Sequence, residues 1–376
     1  MIPLNRNLSP LKRSAIRVYT NMAKEVEDCV MFTIGEPDFD TPDMIKAAAA
    51  ASLEANQTHY APNQGTLPLR QAVAEYETAR GNCVTPEQVL ITVGATHALF
   101  TALLGILNPG EEVIVPTPGF GLYETIATIA GAKTVPLDVT KTGFQITKQA
   151  LEAAITQKTK AIILNSPCNP TGVVLSRESM ETVKAAVLGK PIFVISDNVY
   201  SQLSSGDCPD LSLDRALKDQ LILCQGFSKP YAMTGWRIGY LTCPAYVMDR
   251  LLLLSAAEIA AVPTFVQDAA LTALKTDPGP MRDTYARRRA YVTARLREMG
   301  LSFPEPEGAF YVFVDIREFG MDSAEFCTRM IREGRVAAVP GSCFGSEGYI
   351  RLSYCCSDAD LEKGLNRMAE FVRSLQ

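Results

Sequence analysis

Short β-rich apolar runs alternate with helix-patterned segments through the middle of this sequence, and few architectures accommodate that order. The apolar runs are Val89–Val93, Glu112–Val115, Lys160–Asn165, Pro191–Ser196 and Leu221–Gln225. Helical periodicity fills most of the gaps, over about Thr96–Leu107, Gly121–Ala130, Thr147–Ile155 and Arg177–Leu188. Strands that are apolar on both faces need cover on both faces, and helical crossovers supply it. The pattern therefore predicts an α/β fold, a mainly parallel sheet between helices over roughly residues 45–280. The C-terminal part reads differently. A basic helix with Arg287-Arg288-Arg289 precedes the strand-like Ala309–Val314, a helix near Ser323–Glu333, a strand around Tyr349–Ser353 and a final helix from about Ser357. That mixture predicts a smaller α+β domain, with Thr276–Pro280 the best boundary signal.

Composition excludes several classes of function. A chain of 376 residues can bury a large core, and its formal net charge of -5 argues against a nucleic-acid partner. No apolar run is long enough for a membrane span; Leu251–Leu254 reads as a buried helix segment instead. The N-terminus lacks the charged-then-apolar layout of a secretory signal, so a cytoplasmic location is expected. Ten cysteines lie scattered, without metal-ligand spacing even at Cys355-Cys356, and read as mostly free, buried thiols of a reducing compartment. With only His59 and His97 available, neither a histidine-based metal centre nor a histidine-dependent triad is supported, and no metal is expected.

Open α/β sheets bind ligands beyond the carboxyl ends of their strands, so the residues following each apolar run are the informative ones. After Leu221–Gln225 come Gly226-Phe227-Ser228-Lys229-Pro230 and then Arg237. A lysine just past a buried strand can be desolvated into a neutral amine that condenses with an aldehyde, and the arginine can return as a cation for a phosphate. A surface lysine with a structural arginine is the alternative. Pro191–Ser196 runs into Asp197 and Tyr200, a carboxylate and a phenol suited to the two ends of a pyridine ring, or else a helix cap and a packed tyrosine. Lys160–Asn165 leads to Ser166-Pro167-Cys168-Asn169-Pro170-Thr171-Gly172, a rigid turn that can present the Asn169 amide inward, or a plain tight loop. Gly94-Ala95-Thr96 opens a helix whose free N–H groups suit an anion. His97 beside it reads as a packing or local capping residue. Phe120 follows Glu112–Val115 and can stack on a flat ring, or simply fill core. Five such features at five strand ends describe a pyridinium ring, a phosphate, a phenolate and an aldehyde-reactive amine.

These residues resemble the class I/II aminotransferases of the fold type I pyridoxal-phosphate superfamily, in particular the aspartate-aminotransferase-like branch. The resemblance runs from Ile34-Gly35-Glu36-Pro37-Asp38-Phe39 to Tyr349-Ile350-Arg351-Leu352-Ser353, and Ser228-Lys229 with Met233-Thr234-Gly235-Trp236-Arg237-Ile238-Gly239 is its most specific stretch. It implies a large domain with a seven-stranded type of sheet over 46–280, a small domain over 281–376 and an N-terminal segment, 1–45, joining the small domain. It also implies pyridoxal 5'-phosphate as cofactor, with amino acids and 2-keto acids as substrates. Lys229 then matches the lysine that carries the cofactor and shuttles the proton, and Asp197 the partner of the ring nitrogen. Asn169 and Tyr200 match the groups on the phenolate oxygen, and Ala95, Thr96, Ser228 and Arg237 fall at the phosphate. Phe120 matches the stacking ring. Arg351, with Asn169 and Gly35, matches the grip on the substrate α-carboxylate. Tyr60, in Tyr60-Ala61-Pro62-Asn63-Gln64-Gly65, resembles a tyrosine that reaches the neighbouring subunit's phosphate, which implies a homodimer with active sites at the interface.

The chain departs from the family pattern at three places. It has Asp197-Asn198 where many relatives have Asp-Glu, Gly226 where many have a serine, and Pro230 directly after the lysine. Two other functions fit the same residues: a carbon–sulfur β-lyase or other pyridoxal-phosphate reaction on the same fold, and a non-catalytic effector-binding module. The second is disfavoured by the roughly 30 residues preceding Ile34-Gly35, and a nicotinamide enzyme by the absence of Gly-x-Gly-x-x-Gly. No second arginine is assigned to a dicarboxylate, although Arg17 and Lys12 lie in a segment that can line the site.

Overall fold

A computed structural model describes residues 2, 5–11 and 15–376. Its centre is a seven-stranded sheet built from β2 (Val89–Thr92), β3 (Glu112–Thr117), β4 (Lys133–Asp138), β5 (Thr159–Asn165), β6 (Phe193–Asp197), β7 (Leu221–Gly226) and β8 (Gly239–Thr242), after a short N-terminal β1 (Val30–Met31). The order across the sheet is β2-β8-β7-β6-β5-β3-β4. Pairing is parallel from β7 through β4, and β8 alone runs against its two neighbours. The expected parallel sheet is therefore present, with boundaries within a few residues of those read from periodicity.

Two strands escaped that reading, each for a physical reason. β4 is an edge strand in which only Leu137 is buried, and it carries Lys133 and Pro136, so no apolar run marks it. β8 is four fully buried residues, too short to stand out behind Arg237.

Apolar cores fill both faces of the sheet. On one face Leu90, Ile195 and Ile222 pack against the helix Gly94–Ile106, whereas Ile91, pointing the other way, lies with Leu69, Val73 and Ala269 under the helices Asp43–Glu54 and Thr264–Ala273. On the opposite face Ile162, Val194 and Leu223 meet the helix Arg177–Val187, whose start Ser176 caps by accepting the Ser179 N–H. A third core gathers β9 (Tyr311–Asp315), the helices Gly279–Glu298 and Asp358–Leu375, and Val30 and Phe32 of the N-terminal segment. There β11 (Val339–Pro340), β12 (Tyr349–Ser353) and β9 form an antiparallel sheet, while β1 pairs in parallel with β10 (Val336–Ala337), Val30 opposite Val336.

Two expectations need correction. Leu251–Leu254 does lie in a helix, Ala245–Ile259, but only Leu251 is buried and Leu253 is 64% exposed. One side of that helix faces solvent. The ten cysteines are all free, as expected, but only Cys224, Cys243 and Cys327 are buried; six are partly exposed and Cys83 is exposed. Scattered thiols carry no burial signal of their own. No described helix is long and apolar enough to cross a membrane.

Candidate active site

The parallel strands deliver their carboxyl ends to one edge of the sheet. β6 ends in Asp197, β7 in Gly226 just before Ser228 and Lys229, and β5 in Asn165 just before the turn that carries Asn169. β2 leads straight into the helix Gly94–Ile106, and β3 leads to Phe120. Because β8 runs the other way, it starts at this same edge and brings Arg237 with it. The small sheet adds Arg351 from β12 and Tyr311 from β9. Together these residues line a cavity of about 570 Å³, which also takes in Gly35, Ala95, Thr96 and Tyr200. Tyr60 does not line it and is 92% exposed. Lys12 lies outside the described residues, whereas Arg17 lines the cavity.

At the floor, Asp197 is 4% exposed and accepts a hydrogen bond from Tyr123 Oη at 2.6 Å. Burial, against the pull of that bond, raises its carboxyl from 3.8 to about 6. Near neutral pH a buried carboxylate therefore faces the cavity with a phenol as its closest partner and, among the described residues, no cation within ion-pair distance. Asn165 Nδ2 holds the Asp197 carbonyl at 2.9 Å, while its Oδ1 accepts the Asn169 N–H at 2.8 Å. Asp197 does not cap a helix; a short 3-10 turn, Ser201–Leu203, follows instead. The neighbour that departs from the family pattern points elsewhere: Asn198 bonds Asp210 and Ser196, so the change from glutamate leaves the cavity untouched.

Lys229 Nζ donates to the Gly35 carbonyl at 2.7 Å and lies over the Phe310 ring. Desolvation lowers its pKa, which favours the neutral, nucleophilic amine. Gly35 has no room for a side chain, since a Cβ there would collide with Tyr311 Oη. Tyr311 and Tyr200 hydroxyls lie 2.8 Å apart, and burial pushes Tyr311 up to about 12 and Tyr200 well above its ordinary range. Both phenols stay protonated as donors.

Arg351 is the largest fully buried side chain, 1% exposed. Its two terminal nitrogens donate to Asn169 Oδ1 at 2.8 Å and the Thr33 carbonyl at 2.6 Å, with the guanidinium between Tyr311 and Phe344 rings. Its Nε has no partner, and among the described residues no carboxylate pairs with it. A buried, unpaired guanidinium is costly unless an anionic ligand joins it.

The helix start shapes a third subsite. Gly94 has φ +72, and a Cβ there would come 2.8 Å from an Arg237 terminal nitrogen, so the guanidinium occupies the space that only glycine leaves. Arg237 is anchored by donating to the Thr234 carbonyl. At Gly226 the nearest atom to an added Cβ is Ala95 Cβ at 3.5 Å, so the missing serine is a lost contact rather than a blocked one. Phe120 is partly buried and packs edge-on against Tyr123 at 5.8 Å. His97 stays structural: it accepts the Val93 N–H and pairs with Glu258 at 2.9 Å.

Tyr123, Tyr311 and Asn165, with Thr20, Asn21 and Lys24, are among the cavity residues that sequence reasoning missed. Tyr123 had a weak signal, being one helical turn past Phe120, and Tyr311 is the one hydroxyl in the apolar run Ala309–Val314. A flat group with a cationic nitrogen, an adjacent anion and a phosphate fits the three subsites, as shown by the orphaned Asp197 charge and the cradle at Gly94.

The fold and this cavity define a pyridoxal-phosphate enzyme, and the comparisons define which kind. The Aminotransferase class I and II family matches residues 27–368, and the chain belongs to it, as a pyridoxal-phosphate-dependent aminotransferase acting on amino acids and 2-keto acids. It is 42% identical to a probable N-acetyl-LL-diaminopimelate aminotransferase of Bacillus subtilis, covering 98% of this chain and 95% of the relative. An aspartate aminotransferase of Pyrococcus abyssi is 37% identical, with 98% of each covered. Among solved structures, aspartate aminotransferase from Thermus thermophilus with maleate superposes with a TM-score of 0.93 at 35% identity, over 98% of this chain and all of that one.

Proposed function

We propose that Lys229 carries the cofactor and moves the substrate Cα proton during amino transfer, in a cytoplasmic homodimer whose active sites lie at the subunit interface. One observation carries the assignment of the site: Asp197, a buried anion, and Arg351, a buried cation, face one cavity that Lys229 also lines, and among the described residues neither has a partner of opposite charge within ion-pair distance. In this reading Asp197 pairs with the ring nitrogen, and Tyr200 and Asn169 donate to the phenolate oxygen. Phe120 lies on the ring face, while Ala95, Thr96, Ser228 and Arg237 hold the phosphate. Arg351, Asn169 and the Gly35 backbone orient the α-carboxylate. When bound, pyridoxal phosphate supplies the aldehyde that takes up the amine and a cationic ring that accepts electrons from Cα. Lys229, desolvated and within reach of Gly35, serves as the base that takes that proton and returns it. Borohydride treatment of the loaded protein should fix the cofactor on the peptide containing Lys229; labelling of another lysine overturns the assignment.

The domain division at 45/46 and 280/281 belongs to the same proposal, supported by the β1–β10 pair that ties the N-terminal segment to the C-terminal part. Free thiols throughout support the reducing compartment.

The homodimer is supported by Tyr60, which is exposed and outside its own chain's cavity. A phenol donating to a partner's phosphate is worth about 1.5–3 kcal/mol, so Tyr60→Phe should weaken cofactor retention roughly ten- to a hundredfold. Mixing inactive Tyr60→Ala and Lys229→Ala proteins should restore up to about half the wild-type activity per mixed dimer, since one of its two sites then holds neither lesion. If every mixture stays dead although Tyr60→Ala alone is inactive, the tyrosine acts within its own subunit and the shared site is refuted.

A further inference from the structure

We infer that His97 and Glu258 shape the phosphate cradle from behind: His97 is a positioning residue that holds the turn at Val93–Gly94, so that the N–H groups of Ala95 and Thr96 stay open to an anion. The inference rests on reading that helix start, with Arg237, as the phosphate site. It adds two residues that do not themselves line the cavity.

A helix start is commonly capped by a side-chain oxygen of the N-cap residue, which takes up an N–H of the first turn. Such a cap would compete with a bound anion. The N-cap of the helix Gly94–Ile106 is Val93, which has no side-chain oxygen and makes no capping bond. The first N–H groups are thus left without an intrahelical partner. Something else must fix the turn, because Gly94, at φ +72, has other conformations open to it at little cost. Two polar contacts do so without using those N–H groups. Thr92, fully buried, donates from Oγ1 to the Gly94 carbonyl at 3.0 Å, and the Val93 N–H donates to His97 Nδ1 at 3.2 Å. The second contact is the reach-back of a capping box, made here by an imidazole. Gly239 closes another side: a Cβ there would come 2.9 Å from the Ala95 nitrogen and from the Gly94 carbonyl carbon.

The ring is fixed in turn. For Nδ1 to accept, the ring hydrogen must sit on Nε2, and Nε2 lies 2.9 Å from Glu258 Oε2. The same oxygen accepts from Thr101 Oγ1 at 2.7 Å. Thr101 is fully buried one turn after His97 on the same helix, whereas Glu258 comes from the helix Ala245–Ile259. A carboxylate on a neighbouring helix therefore selects the tautomer that leaves Nδ1 free to accept. A ring with its hydrogen on Nδ1 would meet the Val93 N–H donor to donor and push the turn out of place. Position passes from Glu258 through His97 and Val93 to Ala95 and Thr96, which line the cavity.

The test separates the two ring nitrogens. Asparagine can place its carbonyl oxygen near the position of Nδ1, and glutamine its amide nitrogen near that of Nε2. Full-length protein freed of cofactor is titrated with pyridoxal 5'-phosphate, with pyridoxal, which lacks the phosphate, and with inorganic phosphate. Wild type should bind pyridoxal 5'-phosphate more tightly than pyridoxal. His97→Ala and His97→Gln should weaken both phosphate ligands about tenfold, in the range of one lost hydrogen bond, and leave pyridoxal within about twofold. His97→Asn should stay within about threefold of wild type for all three. Glu258→Ala, which keeps the ring but releases its tautomer, should fall between. Pyridoxal affinity that drops in step would show a general collapse of the helix start and overturn the positioning role. Equal losses in His97→Asn and His97→Gln would overturn it too, as would a phosphate preference that survives His97→Ala. The underlying reading fails differently: equal wild-type affinity for pyridoxal 5'-phosphate and pyridoxal would refute the phosphate site, and the cradle with it.

Discussion

Lys229→Ala should reduce steady-state transamination by at least about 10²–10⁴-fold, the contribution of a positioned general base, with a further loss from the missing point of attachment. The protein should still fold and hold cofactor, because the proposed phosphate and ring contacts come from Arg237, the start of the helix Gly94–Ile106, Asp197 and Phe120. Lys229 makes one hydrogen bond, to the Gly35 carbonyl, and leaves no buried charge behind when removed. Binding and chemistry should therefore separate: cofactor titration near normal, turnover lost. An added small amine should restore part of the proton transfer. Near-normal turnover in the variant would refute the proton-shuttle role, and loss of folding would show that Lys229 is structural.

Asp197→Ala should likewise lose activity at saturating cofactor, because without a paired carboxylate the ring nitrogen is less basic and draws fewer electrons from Cα. The same residue makes a stability prediction for the cofactor-free protein. Its folded pKa, about 6, lies above the unfolded value of 3.8, so the folded state holds more protons between those values. The protonated carboxyl contributes its full stability below pH 3.8, and that contribution is lost as pH rises through 6. The loss amounts to about 3 kcal/mol. Relative to non-titrating Asp197→Asn, wild-type apoprotein should therefore lose stability from pH 4 to pH 6 and level off above. Cofactor should reverse the trend by pairing the carboxylate. A pH-independent difference between the two proteins would mean that Asp197 is not an uncompensated buried acid.

How much was legible in the sequence depended on whether the signal was local. Runs such as Leu221–Gln225 announce buried parallel strands by themselves, because a strand covered on both faces must be apolar throughout. The residues at their carboxyl ends were readable for the same reason: Asp197, Asn169 and Lys229 are polar groups placed where apolar chain has just stopped. β4 was not legible, since an edge strand has one side facing solvent and lacks that signature.

What the sequence determined by itself was the order of elements, the strand ends at which chemistry collects, and the residue types offered there. The tertiary structure alone decided which of those groups meet. Arg351 and Asn169 lie 182 residues apart and share a 2.8 Å bond. Tyr123 reaches Asp197 across 74 residues. The packed Tyr311 and Tyr200 hydroxyls, and the helix that turns Arg17 and Lys24 toward the opening, likewise depend on contacts between distant elements. Local patterning encodes burial and backbone geometry, whereas the pairing of charges, the emptying of a cavity and the desolvation of Lys229 exist only once the layers have closed around them.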